Sequence, residues 1–108
     1  MSTPSYPLAN APYAQAAAVI NGDGTVVRAQ GVVKVRRIAD GSYSVEVSKD
    51  IDLDKAVPLA SLIGRVDSSV PAQIYINPHE TSDDPHTFGV TTYAGAARVD
   101  SPFIVIVP

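Results

Sequence analysis

A chain of 108 residues, 45% hydrophobic and 18% charged, has apolar material for one core and too little length for two. Its formal net charge of −3 gives no bulk attraction to nucleic acid or anionic lipid, and the absence of cysteine excludes disulfides, thiolate metal sites and cysteine nucleophiles. So low a charged fraction on a small domain points to surface that a partner covers.

Residues 1–13 carry Pro4, Pro7 and Pro12 around Tyr6, Leu8 and Tyr13, a density of proline that blocks both helix and inner strand. They read as an extended arm ahead of a domain spanning residues 14–108. Tyr6, Leu8 and Tyr13 are the side chains with which such an arm would anchor on a neighbouring subunit; the alternative is a loose terminus. No basic segment followed by a long apolar run is present, so the expectation is synthesis in the cytoplasm without a secretory signal. The apolar stretch AQAAAVI is far too short to span a bilayer, and membrane insertion is not expected.

From Ala14 onward short segments alternate with turn chemistry. A first strand over 14–20 ends at the turn Asn21-Gly22-Asp23-Gly24, and TVVRAQGVVKVRRI continues the chain as one long strand with Gly31 as a bulge or bend. Behind Ala39-Asp40-Gly41, the apolar Tyr43, Val45 and Val47 alternate with Ser42, Ser44, Glu46 and Ser48, which assigns one face to a core and the other to water. The three strands are predicted to form a meander.

Lys49 to Ala56 alternates in charge and predicts a loop or a single helical turn. Further strands are predicted over 57–66, with Gly64 as a bend, and over 72–78. The polar loop from His79 to His86 leads to a strand over 87–93, and AGAARVDS turns the chain into PFIVIV. About seven strands with no helical periodicity predict an all-β, small antiparallel β-sandwich. In the last strand Phe103, Val105 and Val107 share one face while Ile104 and Ile106 share the other. Either a second sheet and loops cover both faces, or a second copy of the chain covers one. On the second reading Phe103, Ile104 and Ile106 join Tyr6, Leu8 and Tyr13 as candidate oligomer contacts.

Chemistry-bearing motifs are sparse. Asp50, Asp52 and Asp54 have the spacing that opens a calcium loop, but Lys55 stands where glycine is required and Ser61 where the bidentate glutamate belongs. His79, Glu80, Asp83, Asp84 and His86 hold ligand types for a divalent ion, yet the same residues make an ordinary exposed loop, so no metal or other cofactor is assigned. No nucleophile elbow or phosphate loop occurs, which argues against an enzyme. Arg28, Lys34, Arg36 and Arg37 gather half of the eight basic residues on one predicted strand, as an anion- or glycan-facing strip or as protection of a sheet edge. Tyr75, Tyr93, His79 and His86 are the best-placed contacts for a bound sugar or other ligand, since aromatic faces and polar loops supply such contacts.

Asp23-Gly24-Thr25, Gly41 with Tyr43 and Val45, and the closing Asp100, Pro102, Phe103, Val105 and Val107 together resemble the small β domains near the C-terminal ends of phage tail fibres and bacterial collagen-like or fibre-like proteins. The likeness spans residues 18–107 and lies in turn and core positions. It implies a domain that trimerises and serves as a cap, knob or surface-binding tip. No fibre, collagen or coiled-coil segment precedes the domain, so a free-standing subunit docked through its arm is expected. The resulting expectation is a homo-oligomer, with a trimer favoured, acting as a structural or surface-binding subunit of a phage or phage-like particle and incorporated into the virion. A soluble carbohydrate- or ligand-binding module is the alternative, and a surface glycan its expected partner.

Overall fold

Alternating apolar and polar positions resolve into two antiparallel sheets whose inner faces share one core, in a computed structural model that describes residues 6–53, 55–63, 71–78 and 85–108. The strands are β1 (Ala16–Ile20), β2 (Val26–Gln30), β3 (Val32–Ala39), β4 (Ser42–Val47), β5 (Leu59–Leu62), β6 (Ala72–Pro78), β7 (Thr87–Ala94), β8 (Ala97–Arg98) and β9 (Phe103–Val107). A four-stranded sheet has the order β2-β1-β9-β5, and a five-stranded sheet has the order β3-β4-β7-β6 with β8 paired to β7. The fold is all-β and sandwich-like, with nine strands rather than seven among the described residues.

The core is built from the positions that period-two alternation sends inward. Ala16, Ala18, Ile20, Phe103, Val105 and Val107 come from the four-stranded sheet, and Tyr43, Val45, Val47, Phe88 and Val90 from the other. Phe103 and Tyr43 meet across the sandwich with ring centroids 4.9 Å apart and planes tilted by 56°, an aromatic geometry that adds to the burial of both rings.

Both extra strands have local causes. The long predicted strand breaks at Gly31, whose φ of 68° lies in the left-handed region. The chain there leaves β2 in one sheet and enters β3 in the other, so the three-strand meander is replaced by two separate pairs, β1 with β2 and β3 with β4. Gly95, with φ 64°, closes the tight turn from Ala94 to Ala97 and creates β8, a two-residue strand too short to show periodicity.

Other expectations shift in detail. β5 is shorter than the predicted segment, and Gly64 lies outside the described residues. Among residues 48–53 and 55–56, Ile51 N–H donates to Ser48 O and the amides of Lys55 and Ala56 donate to Asp52 O, which makes turns of this segment. Ile51 is buried in the core, while Asp54 lies outside the described residues. Ser42 and Ser44 face away from the core yet are only 9% and 6% exposed, which corrects their assignment to water. β4 is flanked by β3 on one side and β7 on the other, and short side chains between longer neighbours are shielded.

The described part of the arm, residues 6–13, runs along its own chain. Ala29 N–H donates to Pro7 O (2.7 Å) and Ala9 N–H donates to Ala29 O (3.1 Å), a parallel bridge that covers the outer edge of β2. The Gln30 amide holds residues 11–14 in place, donating to Ala11 O (2.8 Å) and Ala14 O (3.0 Å) and accepting from Ala11 N–H (3.0 Å). An uncovered edge is a template for foreign strands, and this segment removes it.

Candidate functional site

Three parts of the molecule concentrate chemistry or unusual surface: one end of the sandwich and the two outer sheet faces.

At the end, Arg37, Asp40, Gly41, Tyr43, Asp100 and Ser101 form one knot. Asp100 accepts from Gly41 N–H (2.7 Å) and from Arg37 Nε (2.8 Å), and Arg37 also bonds Asp40. The Tyr43 hydroxyl donates to Gly22 O (2.6 Å) and accepts from Ser101 N–H (3.3 Å). This closes the turn 21–25, the turn 40–41 and the entry to β9 onto one another. Burial pushes the Tyr43 pKa up, since the phenolate would have to form away from water. Burial also works against the Asp100 charge, but the Gly41 N–H and the Arg37 guanidinium outweigh it and hold the carboxyl below its ordinary value of 3.8.

A folded pKa below the unfolded one means that the unfolded chain binds the proton more readily. The Asp100 contribution to stability is therefore full above roughly pH 5 and lost as pH falls through its depressed folded pKa. Asp100→Asn is expected to flatten the acid limb of the stability curve, measured by urea denaturation between roughly pH 2 and 5, the window in which the lowered carboxyl takes up its proton. An unchanged acid limb would show that the knot contributes nothing through its charge.

The outer face of the four-stranded sheet is apolar through its middle. Ala17 pairs with Ile106 and Val19 with Ile104 on β1 and β9, and Leu59 and Ser61 on β5 flank Ile106 and Ile104. Ile106 is 37% and Leu59 56% exposed, and a shallow depression lies among Leu59, Ala60, Ser61, Ile104 and Ile106. Polar side chains, Arg28 and Gln30, appear on this face only at β2 and, with Ser61, at β5.

The outer face of the five-stranded sheet is polar and ordered in rows by register. Lys34, Glu46 and Thr87 form one row; Arg36, Ser44, Gly89 and Asn77 the next. Ser42, Thr91 and Tyr75 make a third, and Arg98, Tyr93 and Gln73 complete the grid. The Tyr75 and Tyr93 rings meet edge to face at 5.6 Å and 81°, and the Tyr75 hydroxyl donates to Gln73 Oε1 (2.8 Å). Asn77 Nδ2 donates to Thr91 Oγ1 (3.0 Å).

The residues singled out from sequence thus fall in different places. Phe103 is fully buried in the chain's own core and leaves the interface set as a correction, because its face of β9 is the inner one. Ile104 and Ile106 lie together on the outer face. Tyr6 packs against the chain's own core, whereas Leu8 and Tyr13 are exposed. Tyr75 and Tyr93 are neighbours. His86 sits at the start of β7 with Nδ1 3.1 Å from Ile51 O, and His79 lies outside the described residues with Glu80, Asp83 and Asp84. Sequence reasoning missed Ser42, Ser44, Gly89 and Asn77 as parts of one surface, since small polar residues carry no signal until register aligns them. Arg28 faces out from one sheet and Lys34 and Arg36 from the other, so the basic strip is divided between two surfaces. No protein-family model, curated protein or solved structure matches the chain.

Proposed function

We propose that the chain is a non-enzymatic structural subunit that works as a homo-oligomer, with a trimer favoured, in a phage or phage-like assembly as a knob, spike or decoration protein. One observation carries the oligomer: the outer face of the four-stranded sheet presents Val19, Ile104, Ile106 and Leu59 where a solvated antiparallel sheet carries polar residues. A second copy removes this surface from water as the inner faces remove theirs. The resemblance of the Asp23-Gly24-Thr25 turn and the Asp100 to Val107 segment to fibre-tip domains supports the kind of assembly.

Light scattering on the intact chain is expected to give a mass near three times 11.3 kDa. Ile104→Lys with Ile106→Lys is expected to give a monomer with an unchanged β spectrum, because both side chains lie outside the core. A monomeric parent across micromolar concentrations would overturn the proposal.

A further inference from the structure

Between tall side chains on β3 and β6, the outer face of the five-stranded sheet has a floor of short ones: Ser42 and Ser44 on β4, Gly89 and Thr91 on β7. Arg36 stands at one side of this trough and Asn77 and Tyr75 at the other, while Tyr93 with Arg98 and Glu46 with Lys34 close its ends. Four adjacent strands span about 14 Å across, the scale of a short oligosaccharide.

Short residues alone would describe only a smooth patch. The hydrogen bonding of the floor adds a second observation. Ser42 and Ser44 are about nine-tenths buried, yet neither side-chain oxygen has a hydrogen-bond partner among the described residues. Among the described residues no fully enclosed polar side-chain atom is left unpaired, so these oxygens open onto the trough and not into the protein. A hydroxyl that opens onto solvent is bonded by water, and two in adjacent rows present donors and acceptors that the hydroxyls of a ligand can take over.

The walls specify what that partner carries. Among the described residues Arg36 and Lys34 make no ion pair, although the chain as a whole is acidic. An uncommitted guanidinium is a planar fork for a carboxylate. Tyr75 is 49% exposed and held by Tyr93 and Gln73, so it offers an apolar face already fixed in place. Asn77 spends its amide N–H on Thr91 and keeps its carbonyl oxygen to accept from a ligand.

We infer that this trough binds an acidic oligosaccharide, with Arg36 on a sugar carboxylate, Ser42, Ser44 and Asn77 on ring hydroxyls, and Tyr75 stacked on a pyranose face. Hydroxyl floor, aromatic wall and the Arg36 fork match a carboxylated sugar better than a neutral one, which leaves Arg36 idle. A nucleic acid would need a run of phosphate contacts on a chain whose balance is acidic. The trough lies on the sheet opposite the apolar face, so the inference stands apart from the oligomer proposal.

The test is a two-dimensional NMR titration of the intact chain with trigalacturonate, with maltotriose as the neutral comparator and the pattern of shifting amides as readout. Saturable shifts confined to β3, β4, β6 and β7 are expected with trigalacturonate. Arg36→Gln and Tyr75→Ala, both at exposed positions, are expected to weaken binding at least roughly tenfold, the loss of one charge-assisted contact or one stacking surface. Arg28→Gln on the opposite sheet is expected to leave it unchanged. Ser44→Ala is expected to weaken binding severalfold while the melting temperature holds or rises, because its hydroxyl has no internal bond to lose. The inference is overturned by the absence of saturable shifts on this face, by equal losses in Arg28→Gln and Arg36→Gln, or by maltotriose binding as tightly as trigalacturonate.

Discussion

Phe103→Ala is expected to remove about 3 to 5 kcal/mol of stability, the cost of truncating a fully buried aromatic ring. The ring has no exposed surface, lies 4.9 Å from Tyr43, and is flanked in register by Ile20 on β1 and Leu62 on β5. Its removal therefore opens a void at the junction of both sheets, beside the hydrogen-bonded knot. Domains of this size are stable by roughly 5 to 15 kcal/mol in total, so the variant should sit near the edge of folding. Urea denaturation should show a large drop in midpoint at constant slope. A loss below about 1 kcal/mol would mean that the residue is not enclosed as described.

Gly31→Ala is the second large effect, expected at about 2 to 4 kcal/mol from two separable sources. One is conformational: φ is 68°, where an L side chain is strained. The other is steric, because an added β-carbon would overlap the Gln15 carbonyl oxygen and approach Ala16 Cα and Cβ to 3.1 Å. Gly31→Asn divides them, since asparagine tolerates the left-handed region but carries the same β-carbon. Asparagine nearly as damaging as alanine would assign the cost to the overlap, and asparagine close to the parent would assign it to φ. A neutral alanine variant would show that the passage between sheets does not depend on this glycine.

How much of this was readable in the sequence depended on the range of the interaction involved. Tyr43, Val45 and Val47 declare their face by strict alternation with polar neighbours, and all three are buried; in the wholly apolar run Phe103–Val107 the pattern leaves the inner face open, and packing alone makes it that of Phe103, Val105 and Val107. Gly24 and Gly41 mark turns because each holds a positive φ. Gly31 was readable as a break, but whether a break bulges a strand or sends it to another sheet depends on what lies beside it, here the backbone of Gln15 and Ala16. The burial of Ser42 and Ser44 is likewise set by neighbours on β3, β6 and β7, none of which local pattern can place. On the candidate surface, Tyr75 and Tyr93 stand out as aromatics, whereas Arg36, Ser44, Gly89 and Asn77 become one row only through three registers at once. The arm shows the same limit: its prolines announce an extended segment, and only the free edge of β2 and the Gln30 amide decide where it lies.

The pairing of β1 with β9 bears on how the chain folds. It sets Ile20 against Phe103 and Ala16 against Val107, so strands from opposite ends of the sequence are neighbours in the middle of a sheet. The β3–β4 hairpin joins segments adjacent in the chain, whereas β9 must slot between β1 and β5, strands that precede it by about eighty and about forty residues. Until β9 is in place, the inner side of β1 and the Tyr43 ring lack the cover that Phe103, Val105 and Val107 give them. Such end-to-end closure places folding in roughly the millisecond-to-second range, slow for a domain this small. An open apolar face and unpaired strand edges before this closure are the features that expose a folding intermediate to aggregation.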